Sequence, residues 1–376
     1  MRELKSSQGP DYVKHVAMWR LKDPTEGNSK QQNATRAKQA LESLSQKIPN
    51  IQSLEVGLGL NASSNGDFDL VLTVAFSDLQ TLQAFQQHSA YQEVKDFITK
   101  ISEAHHTVDY DGRIHPGDRL LALIRDKETL VMPNAYDALS AKLIEKAGFP
   151  AVQCSGYSMS VATGLASESL LSRDYNLRMT RHIVESVSVP VMADGEDGYG
   201  GPEEVGQTVW AFRETGVAGI NLEDQVLDRE TSVRVIDQQA MLDKLQSARE
   251  TADKFGPGHL VINARTDILR AGPDHERQLR KAAQRANTYL ENGADLVFIP
   301  YVATLRDAAF LKKEVAGPLS IAAGLTYNIE NFSVNDLCDL GIARVSLPTF
   351  TICAAMQRMK QNLESLRRTG RFDSLE

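Results

Sequence analysis

A group of acidic residues follows an apolar segment near the middle of the chain. The apolar residues 187–193 lead into Asp194, Glu196 and Asp197, and a glycine-rich turn then leads into a helical pattern that opens with Pro202. Because side chains alternate along a strand, Asp194 and Glu196 are expected on the same side. Carboxylate oxygens are the ligands that a hard divalent cation prefers, so the pair predicts a metal site, with Mg²⁺ the expected ion and Mn²⁺ its alternative.

Polar residues also follow four other short apolar segments. They are Asn134, Tyr136 and Asp137; Ser155, Gly156 and Tyr157; Glu223, Asp224 and Gln225; and Asn263, Arg265 and Asp267. In an α/β barrel the active site lies at the carboxyl ends of the strands, so these groups are expected to converge. Arg265 can then bind a carboxylate or phosphate through both arms of its guanidinium. The pattern predicts a cation that holds an anionic substrate; a salt-bridge network at the barrel end is the alternative.

The segments that position these residues alternate short apolar strands with helices. The predicted strands are residues 130–132, 151–154, 189–193, 219–222, 260–263, 296–299, 319–322 and 345–347. Eight such units over residues 119–376 predict the α/β fold class and, within it, a (β/α)₈ TIM barrel. A doubly wound open sheet is the alternative, but no G-x-G-x-x-G segment follows a strand, which argues against a dinucleotide-binding fold.

The region before the barrel has a different pattern. Strands at residues 13–21, 51–58 and 68–76, and helices at residues 31–47 and 79–87, predict a small α+β ferredoxin-like domain. Such a unit is short of helices to cover both faces of its sheet, so it is expected to need a partner surface.

A polar segment separates the two regions. Residues 104–119 contain glycine and proline and are interpreted as a linker. The predicted organisation is a domain over residues 1–110, a linker at residues 111–118 and the barrel over residues 119–376.

Composition restricts the function classes. The chain has 376 residues, is 42% hydrophobic and carries a net charge of −8, which argues against nucleic acid or an anionic membrane as a main partner. No apolar run approaches the roughly 18 residues of a membrane span, and the N-terminus lacks the apolar core of a secretory signal. Three widely spaced cysteines, Cys154, Cys338 and Cys353, are typical of a reducing cytoplasm, where we expect the protein to reside.

Five ordered segments of the barrel region resemble the isocitrate lyase / phosphoenolpyruvate mutase superfamily over residues 120–350. They are residues 133–141, 155–160, 194–200, 220–225 and 264–267. The resemblance implies a Mg²⁺-dependent enzyme that forms or cleaves C–C or C–P bonds in oxo or hydroxy acids through an enolate. The residues it implies are Asp194, Glu196 and Glu223 as metal ligands; Tyr136, Ser155, Gly156, Tyr157, Asp194 and Arg265 as substrate-binding residues; and Arg265 as the group that stabilises the enolate.

The chain departs from the superfamily pattern in three places. Glu196 stands where the usual motif has a second aspartate, and the aspartate usual after the second strand falls at Ser167, with Glu168 beside it. The loop at residues 226–232 lacks the cysteine of the lyase branch and the lysine and asparagine of the mutase branch. The acid–base residue is therefore open, and the candidates are Tyr157, Glu168, Arg229 and Glu230.

The N-terminal region resembles the stress-responsive dimeric α/β-barrel family, on residues 13–22, 56–58 and 85–91. The resemblance implies that two copies pair their sheets, whereas the superfamily of the larger barrel implies tetramers. We expect a homo-oligomer, either a dimer or a tetramer. His15 and His88 are interpreted as structural or interface residues, with acid–base catalysis in the sheet cavity as the alternative.

The leading hypothesis is a lyase that cleaves a C–C bond, by retro-aldol cleavage or decarboxylation, in a small anionic 2-oxo or 2-hydroxy carboxylic acid. A phosphonomutase or C–P hydrolase acting on a phosphonopyruvate-like substrate is the second hypothesis. A non-catalytic protein that binds small acids is the third. An aldol-type cyclase in the N-terminal cavity is the fourth.

Overall fold

A computed structural model describes residues 13–25, 27–59, 68–112, 115–226, 233–254 and 258–371. The chain divides into two compact units, Met1–Ile114 and His115–Glu376. Among the described helices, none combines the length and apolar character that a membrane crossing requires.

The first unit is a four-stranded antiparallel sheet with helices packed on one face. Its strands are β1 (Val13–Leu21), β2 (Ser53–Leu58), β3 (Leu70–Phe76) and β4 (Ser102–Asp111), in the order β2-β3-β1-β4. Its helices are α1 (Lys30–Glu42), α2 (Leu44–Lys47), α3 (Leu79–Gln87) and α4 (Ser89–Ile101). This order confirms the predicted ferredoxin-like unit.

Alternation along β1 decides which face of the sheet is covered. Ala17, Trp19 and Leu21 are buried and belong to the same apolar cluster as Leu41 of α1 and Ile98 of α4, whereas the residues between them are only half-buried. A strand with one face in the core shows this period of two.

The predicted linker over residues 104–119 is wrong for most of its length. Residues 104–111 belong to β4, which pairs antiparallel with β1, and a helix begins at Pro116. Polar residues are tolerated in β4 because it is an edge strand, on which Val108 and Tyr110 are 51% and 45% exposed. The polar composition was therefore a property of the strand's position and did not indicate a break in the structure.

The second unit is a closed barrel of eight parallel strands. They are β5 (Leu130–Ala135), β6 (Val152–Cys154), β7 (Val191–Asp194), β8 (Gly219–Glu223), β9 (Val261–Arg265), β10 (Leu296–Ile299), β11 (Leu319–Ala322) and β12 (Arg344–Leu347). All eight predicted strands and the predicted barrel are confirmed.

Helices surround the barrel strands. They are α5 (Pro116–Arg125), α6 (Ala138–Lys146), α7 (Gly156–Ala162), α8 (Arg173–Ser186), α9 (Pro202–Arg213), α10 (Gln238–Lys254), α11 (His275–Glu291), α12 (Leu305–Glu314), α13 (Val334–Asp339) and α14 (Phe350–Thr369). The main apolar cluster lies between strands and helices, as where Ile220 and Ile262 share a core with Phe212 and Leu245. This layer fixes the strand ends at which the site residues lie.

We expect Gly117→Ala to destabilise the barrel. A methyl group there would lie 1.7 Å from the backbone oxygen of His259, so α5 must move away from the amino end of the barrel, at a cost of about 1–3 kcal/mol. Gly201→Ala is the matched control, because its methyl group would meet only the flexible end of Glu204 and its φ of −77° suits any residue. Thermal melts should show a loss of several degrees for the first variant only; equal melting temperatures would contradict this packing.

Candidate active site at the carboxyl end of the barrel

The chemically active side chains lie where neighbouring barrel strands end. Asp194, Glu223 and Arg265 are the last residues of β7, β8 and β9. Ser155 follows β6 and caps α7, its hydroxyl accepting from the Ser158 N–H at 3.2 Å. The predicted convergence of strand-end polar groups is thus present in the geometry.

Three carboxylates form a compact cluster. One oxygen from each of Glu168, Asp194 and Glu196 lies within 4.8 Å of the other two. Gly156 completes the cluster: its N–H donates to Asp194 Oδ2 at 2.9 Å, and a Cβ at this position would lie 1.7 Å from Glu196 Oε1. The site therefore requires glycine at position 156.

Glu196 reaches the cluster by a route that strand alternation did not predict. β7 ends at Asp194, and Glu196 lies in the following turn with a φ of 51°. This left-handed conformation is unfavourable for a residue with a side chain and is typical of functional sites. Two backbone hydrogen bonds to β8 stabilise this turn. The Glu223 N–H donates to the Glu196 carbonyl oxygen at 2.9 Å, and the Gly195 N–H donates to the Asn221 carbonyl oxygen at 2.8 Å.

Arg265 is fixed between two other acids. Its Nε and Nη2 donate to the two oxygens of Asp267 at 2.8 and 2.9 Å, which is the fork geometry that suits arginine and carboxylate. Its Nη1 lies 2.6 Å from Glu223 Oε2, although this ion pair lacks hydrogen-bond geometry. Glu223, predicted as a metal ligand, thus lies on the arginine side of the site.

Burial determines the protonation of these groups. Burial, and next the charge of Asp194, raises the pKa of Glu168 to about 7. Burial and the neighbouring acids also raise the pKa of Glu196 and of Glu223 well above the usual range. Although burial alone lowers it, the pKa of Arg265 is held well above its usual value by Asp267 and Glu223. Arg265 therefore stays charged, while the carboxyl groups resist ionisation without an added cation.

The residues present fit a hard divalent cation. Glu196 is 2% exposed, and its Oε1 has no hydrogen-bond partner within the described part of the chain. Leaving a buried carboxylate oxygen unpaired is costly, and a cation bound by the cluster removes that cost. Carboxylate oxygens are the donors that Mg²⁺ and Mn²⁺ take.

Amide side chains support Asp194 from behind. Asn176 donates to the Asp194 carbonyl oxygen at 2.8 Å, and Asn221 donates to Asp194 Oδ1 at 3.3 Å. Asn221 in turn accepts from Asn263 at 2.9 Å. These bonds fix the orientation of a carboxylate that has no basic partner within 4.0 Å among the described side chains.

A cavity of about 690 Å³ opens beside the cluster. Glu168, Asp194 and Arg265 line it together with Ser155 and Tyr157, and Tyr157 is 48% exposed. The cavity is therefore large enough for a small acid, with acidic, basic and phenolic groups on its wall.

Other predicted site residues lie elsewhere. Tyr136 is not among the described residues that line the cavity and packs against the apolar cluster under α6. Asp224 is buried and accepts from Arg285 at 2.6 Å and from Tyr289 at 2.8 Å, so it supports the barrel wall. Arg229 and Glu230 lie outside the described residues.

Sequence reasoning missed one buried polar residue of the cavity, Arg344 of β12. Arg344 precedes the predicted strand 345–347, so the strand-end pattern gave no signal for it. Asn134 of β5, which the sequence placed among the strand-end polar residues, is also buried and lines the cavity.

The N-terminal unit contains a separate small cavity of about 250 Å³. His15, which is 3% exposed, faces it from the helix-covered side of the sheet. Its Nδ1 lies 2.5 Å from Asp109 Oδ1 and its Nε2 lies 3.2 Å from the Tyr91 hydroxyl. His88 begins α4 by accepting from the Ala90 N–H at 3.2 Å, which is a structural role.

Comparison with known proteins agrees with this geometry. The family model described as phosphoenolpyruvate phosphomutase matches residues 120–367, and that of the stress-responsive A/B barrel domain matches residues 13–111. The chain belongs to the phosphoenolpyruvate phosphomutase family. Its N-terminal unit is a stress-responsive A/B barrel domain, so both resemblances found in the sequence are confirmed.

Two named relatives of this chain are lyases. The chain is 32% identical to the 2,3-dimethylmalate lyase of Eubacterium barkeri over 186 residues, which are 48% of this chain and 62% of that enzyme. It is 30% identical to the 2-methylisocitrate lyase of Halalkalibacterium halodurans over 206 residues, which are 54% of this chain and 65% of that enzyme. The match thus spans less than two thirds of either relative.

A crystal structure of 2,3-dimethylmalate lyase, described as a PEP mutase/isocitrate lyase superfamily member, superposes with a TM-score of 0.63. It covers 69% of this chain and 90% of that one at 24% identity. At this level of identity the likeness shows the fold alone.

In the absence of a divalent metal, we expect rising pH to destabilise the barrel through Glu168. Its pKa of about 7 in the folded protein lies above the usual 4.5. The stability that this carboxyl contributes is therefore complete below pH 4.5 and is lost as the pH rises towards 7. Glu168→Gln removes that loss, so thermal melts in EDTA should favour the variant over the wild type more at pH 8 than at pH 5.

Mg²⁺ should raise the melting temperature of the wild type at pH 8 more than that of Glu168→Gln. Glu276→Gln is the control, since this glutamate is 69% exposed on α11. An identical pH profile and metal response in wild type and Glu168→Gln would contradict the role assigned to the cluster.

Proposed function

We propose that the barrel is a Mg²⁺-dependent lyase that cleaves a C–C bond of a small 2-oxo or 2-hydroxy carboxylic acid, by retro-aldol cleavage or decarboxylation, through an enolate. The observation that carries the proposal is the unpartnered, buried Glu196 Oε1 within a carboxylate cluster, beside a cavity that also contains Arg265. The lyases named among its relatives act on acids of this kind.

Asp194, Glu196 and Glu168 are the residues that would hold the metal, and Glu223 lies next to them on the Arg265 side. Bound there, Mg²⁺ supplies Lewis-acid stabilisation of negative charge on a substrate oxygen. Mn²⁺ has the same ligand preference and is the expected substitute. Glu168 is adjacent in sequence to Ser167, where the resemblance implies an aspartate, and its carboxylate lies in the cluster.

Arg265 stabilises the enolate by position and charge. Asp267 holds its guanidinium through two hydrogen bonds, so little reorganisation is needed as negative charge develops on the substrate. In a retro-aldol step a base takes the hydroxyl proton, the C–C electron pair moves into the enolate, and the enolate carbon then takes a proton. Tyr157 lines the cavity, and we propose that its hydroxyl group gives the enolate carbon this proton.

A C–P mutase or hydrolase is the second candidate, because the matching family model is described as a phosphomutase. The two reactions differ in their NMR signals. Cleavage of a C–C bond in a carboxylic acid changes only the proton spectrum, whereas reaction of phosphonopyruvate also moves the ³¹P resonance. A protein that only binds small acids would form no product in either the proton or the phosphorus spectrum.

We further propose that the chain assembles as a homo-oligomer, a dimer or tetramer, in the cytoplasm. Its α14 exposes Met356, Met359 and Leu363 by 47%, 56% and 67%, a row of apolar residues that a partner surface would cover. Light scattering of the purified chain gives its mass directly; a monomer would contradict the assembly.

Arg265→Lys should lower kcat/KM by about 10²–10³, the typical cost of removing one preorganised donor to an oxyanion. Lysine keeps the charge but not the fork that Asp267 holds. The assay follows oxo, hydroxy and phosphono acids by proton and phosphorus NMR, with and without Mg²⁺. Arg280→Lys is the control, because Arg280 is 66% exposed on α11. Turnover without metal, or full activity of Arg265→Lys, would contradict the mechanism.

A further inference from the structure

Arg344 is a buried cation that forms no ion pair with the described side chains. It is 1% exposed and is among the largest fully buried side chains of the described chain. Its Nε donates to Met132 Sδ at 3.1 Å, its Nη1 to Ser320 Oγ at 3.1 Å and its Nη2 to Gln153 Oε1 at 2.8 Å. All three acceptors are neutral, and no described carboxylate oxygen lies within 4.0 Å of its nitrogens.

The contacts place the guanidinium inside the barrel. Arg344 begins β12, whereas Gln153 belongs to β6, and β5 lies between those two strands. A side chain that reaches across an intervening strand must cross the barrel interior. Arg344 also lines the same cavity as Asp194 and Arg265, so it forms part of the floor of the candidate active site.

An unpaired buried charge is expensive. Removing an ion from water is costly unless an opposite charge compensates. Burial lowers the pKa of Arg344 to about 10, although the charge of Asp194 acts in the opposite direction, so the group remains a cation at neutral pH. A guanidinium has five N–H bonds, and three are used, which leaves one N–H on each terminal nitrogen available to a ligand.

Neighbouring groups give the floor further donor capacity. Asn134 accepts from Ser346 Oγ at 3.3 Å through its Oδ1, and its Nδ2 has no acceptor among the described residues. Asn134, Ser346 and Arg344 all line the cavity. The cavity is therefore lined by a guanidinium with two remaining N–H groups and by an amide, which are donors of the kind that carboxylate oxygens accept from.

We propose that Arg344 and Asn134 form a carboxylate-binding subsite on the barrel floor, so that the substrate is a dicarboxylate. One end of the molecule lies at the acidic cluster and Arg265, and its second carboxylate binds Arg344. The position of the substrate's other end, at the acidic cluster and Arg265, rests on the proposed function. The carboxylate-binding subsite itself depends only on the contacts of Arg344.

The alternative is that Arg344 is only structural and stabilises the barrel through its hydrogen bonds to Met132, Gln153 and Ser320 on other strands. The two roles predict opposite effects of Arg344→Met on stability. Replacing a structural tie would lower the melting temperature of the ligand-free protein. Replacing an unpaired buried charge by an apolar side chain of similar length should leave it unchanged or raise it.

The binding test compares malate with 2-hydroxybutyrate, in which a methyl group replaces the second carboxylate. Calorimetric titrations of the full chain in Mg²⁺ should show malate binding roughly 10-fold or more tightly, the typical effect of a charge-assisted hydrogen-bonded pair. Arg344→Met should lose most of this preference while its affinity for Mg²⁺ is unchanged. The exposed control Arg280→Met should keep the preference.

The comparison of malate with 2-hydroxybutyrate on the wild type needs no variant. It therefore tests the proposal even if Arg344→Met fails to fold. Equal affinity of the wild type for both acids, or affinity for neither, would overturn it, as would a preference that survives in a folded Arg344→Met. Repeating the titrations in EDTA separates the two proposals. Absence of Mg²⁺ binding defeats the proposed lyase, whereas a malate preference that persists without metal and depends on Arg344 supports the subsite.

Discussion

Uncompensated negative charge at the end of the barrel is the constraint on which the site depends. Arg265 is already shared by Glu223 and Asp267, so the cluster of Glu168, Asp194 and Glu196 has no ion pair within the described chain. Protonation or a divalent cation must supply the missing positive charge. The local backbone is adapted to these carboxylates: position 156 has no Cβ, and Glu196 adopts a left-handed φ. Such costs persist in proteins where function requires them.

The cavity separates charges of opposite sign. The acidic cluster lies on its wall and Arg344 on its floor, while Arg265 lies between Glu223 and Asp267. The aromatic ring of Phe298 lies 5.8 Å from the guanidinium carbon of both arginines, so each cation also has an aromatic contact. A divalent cation at the cluster would compensate its carboxylates, and a substrate carboxylate at the floor would pair with Arg344. A metal-bound dicarboxylate would therefore compensate both sets of buried charges.

Sequence patterns predicted the strand-end residues because apolar runs identify barrel strands, and strand ends identify the site. They could not place Glu168, which lies in a short 3₁₀ helix after α7 and reaches Asp194 only through the fold. Arg344 directly precedes the predicted strand 345–347, so no local pattern indicated its burial. Its burial depends on the interior space that closure of the barrel leaves. Likewise, polar residues 104–111 indicated a linker because edge-strand pairing with β1 is a long-range contact with no local signal.

Titration of the full chain with Mn²⁺, followed by electron paramagnetic resonance, shows directly whether the carboxylate cluster binds a divalent cation. We expect one Mn²⁺ to bind per chain and to be displaced by Mg²⁺. Glu196→Gln should lose that binding, because glutamine keeps the shape of the side chain but removes the charge of the buried, unpartnered oxygen. A wild-type chain that leaves Mn²⁺ free, or a Glu196→Gln variant that binds it as tightly as the wild type does, would contradict the assignment of the cluster as a metal site.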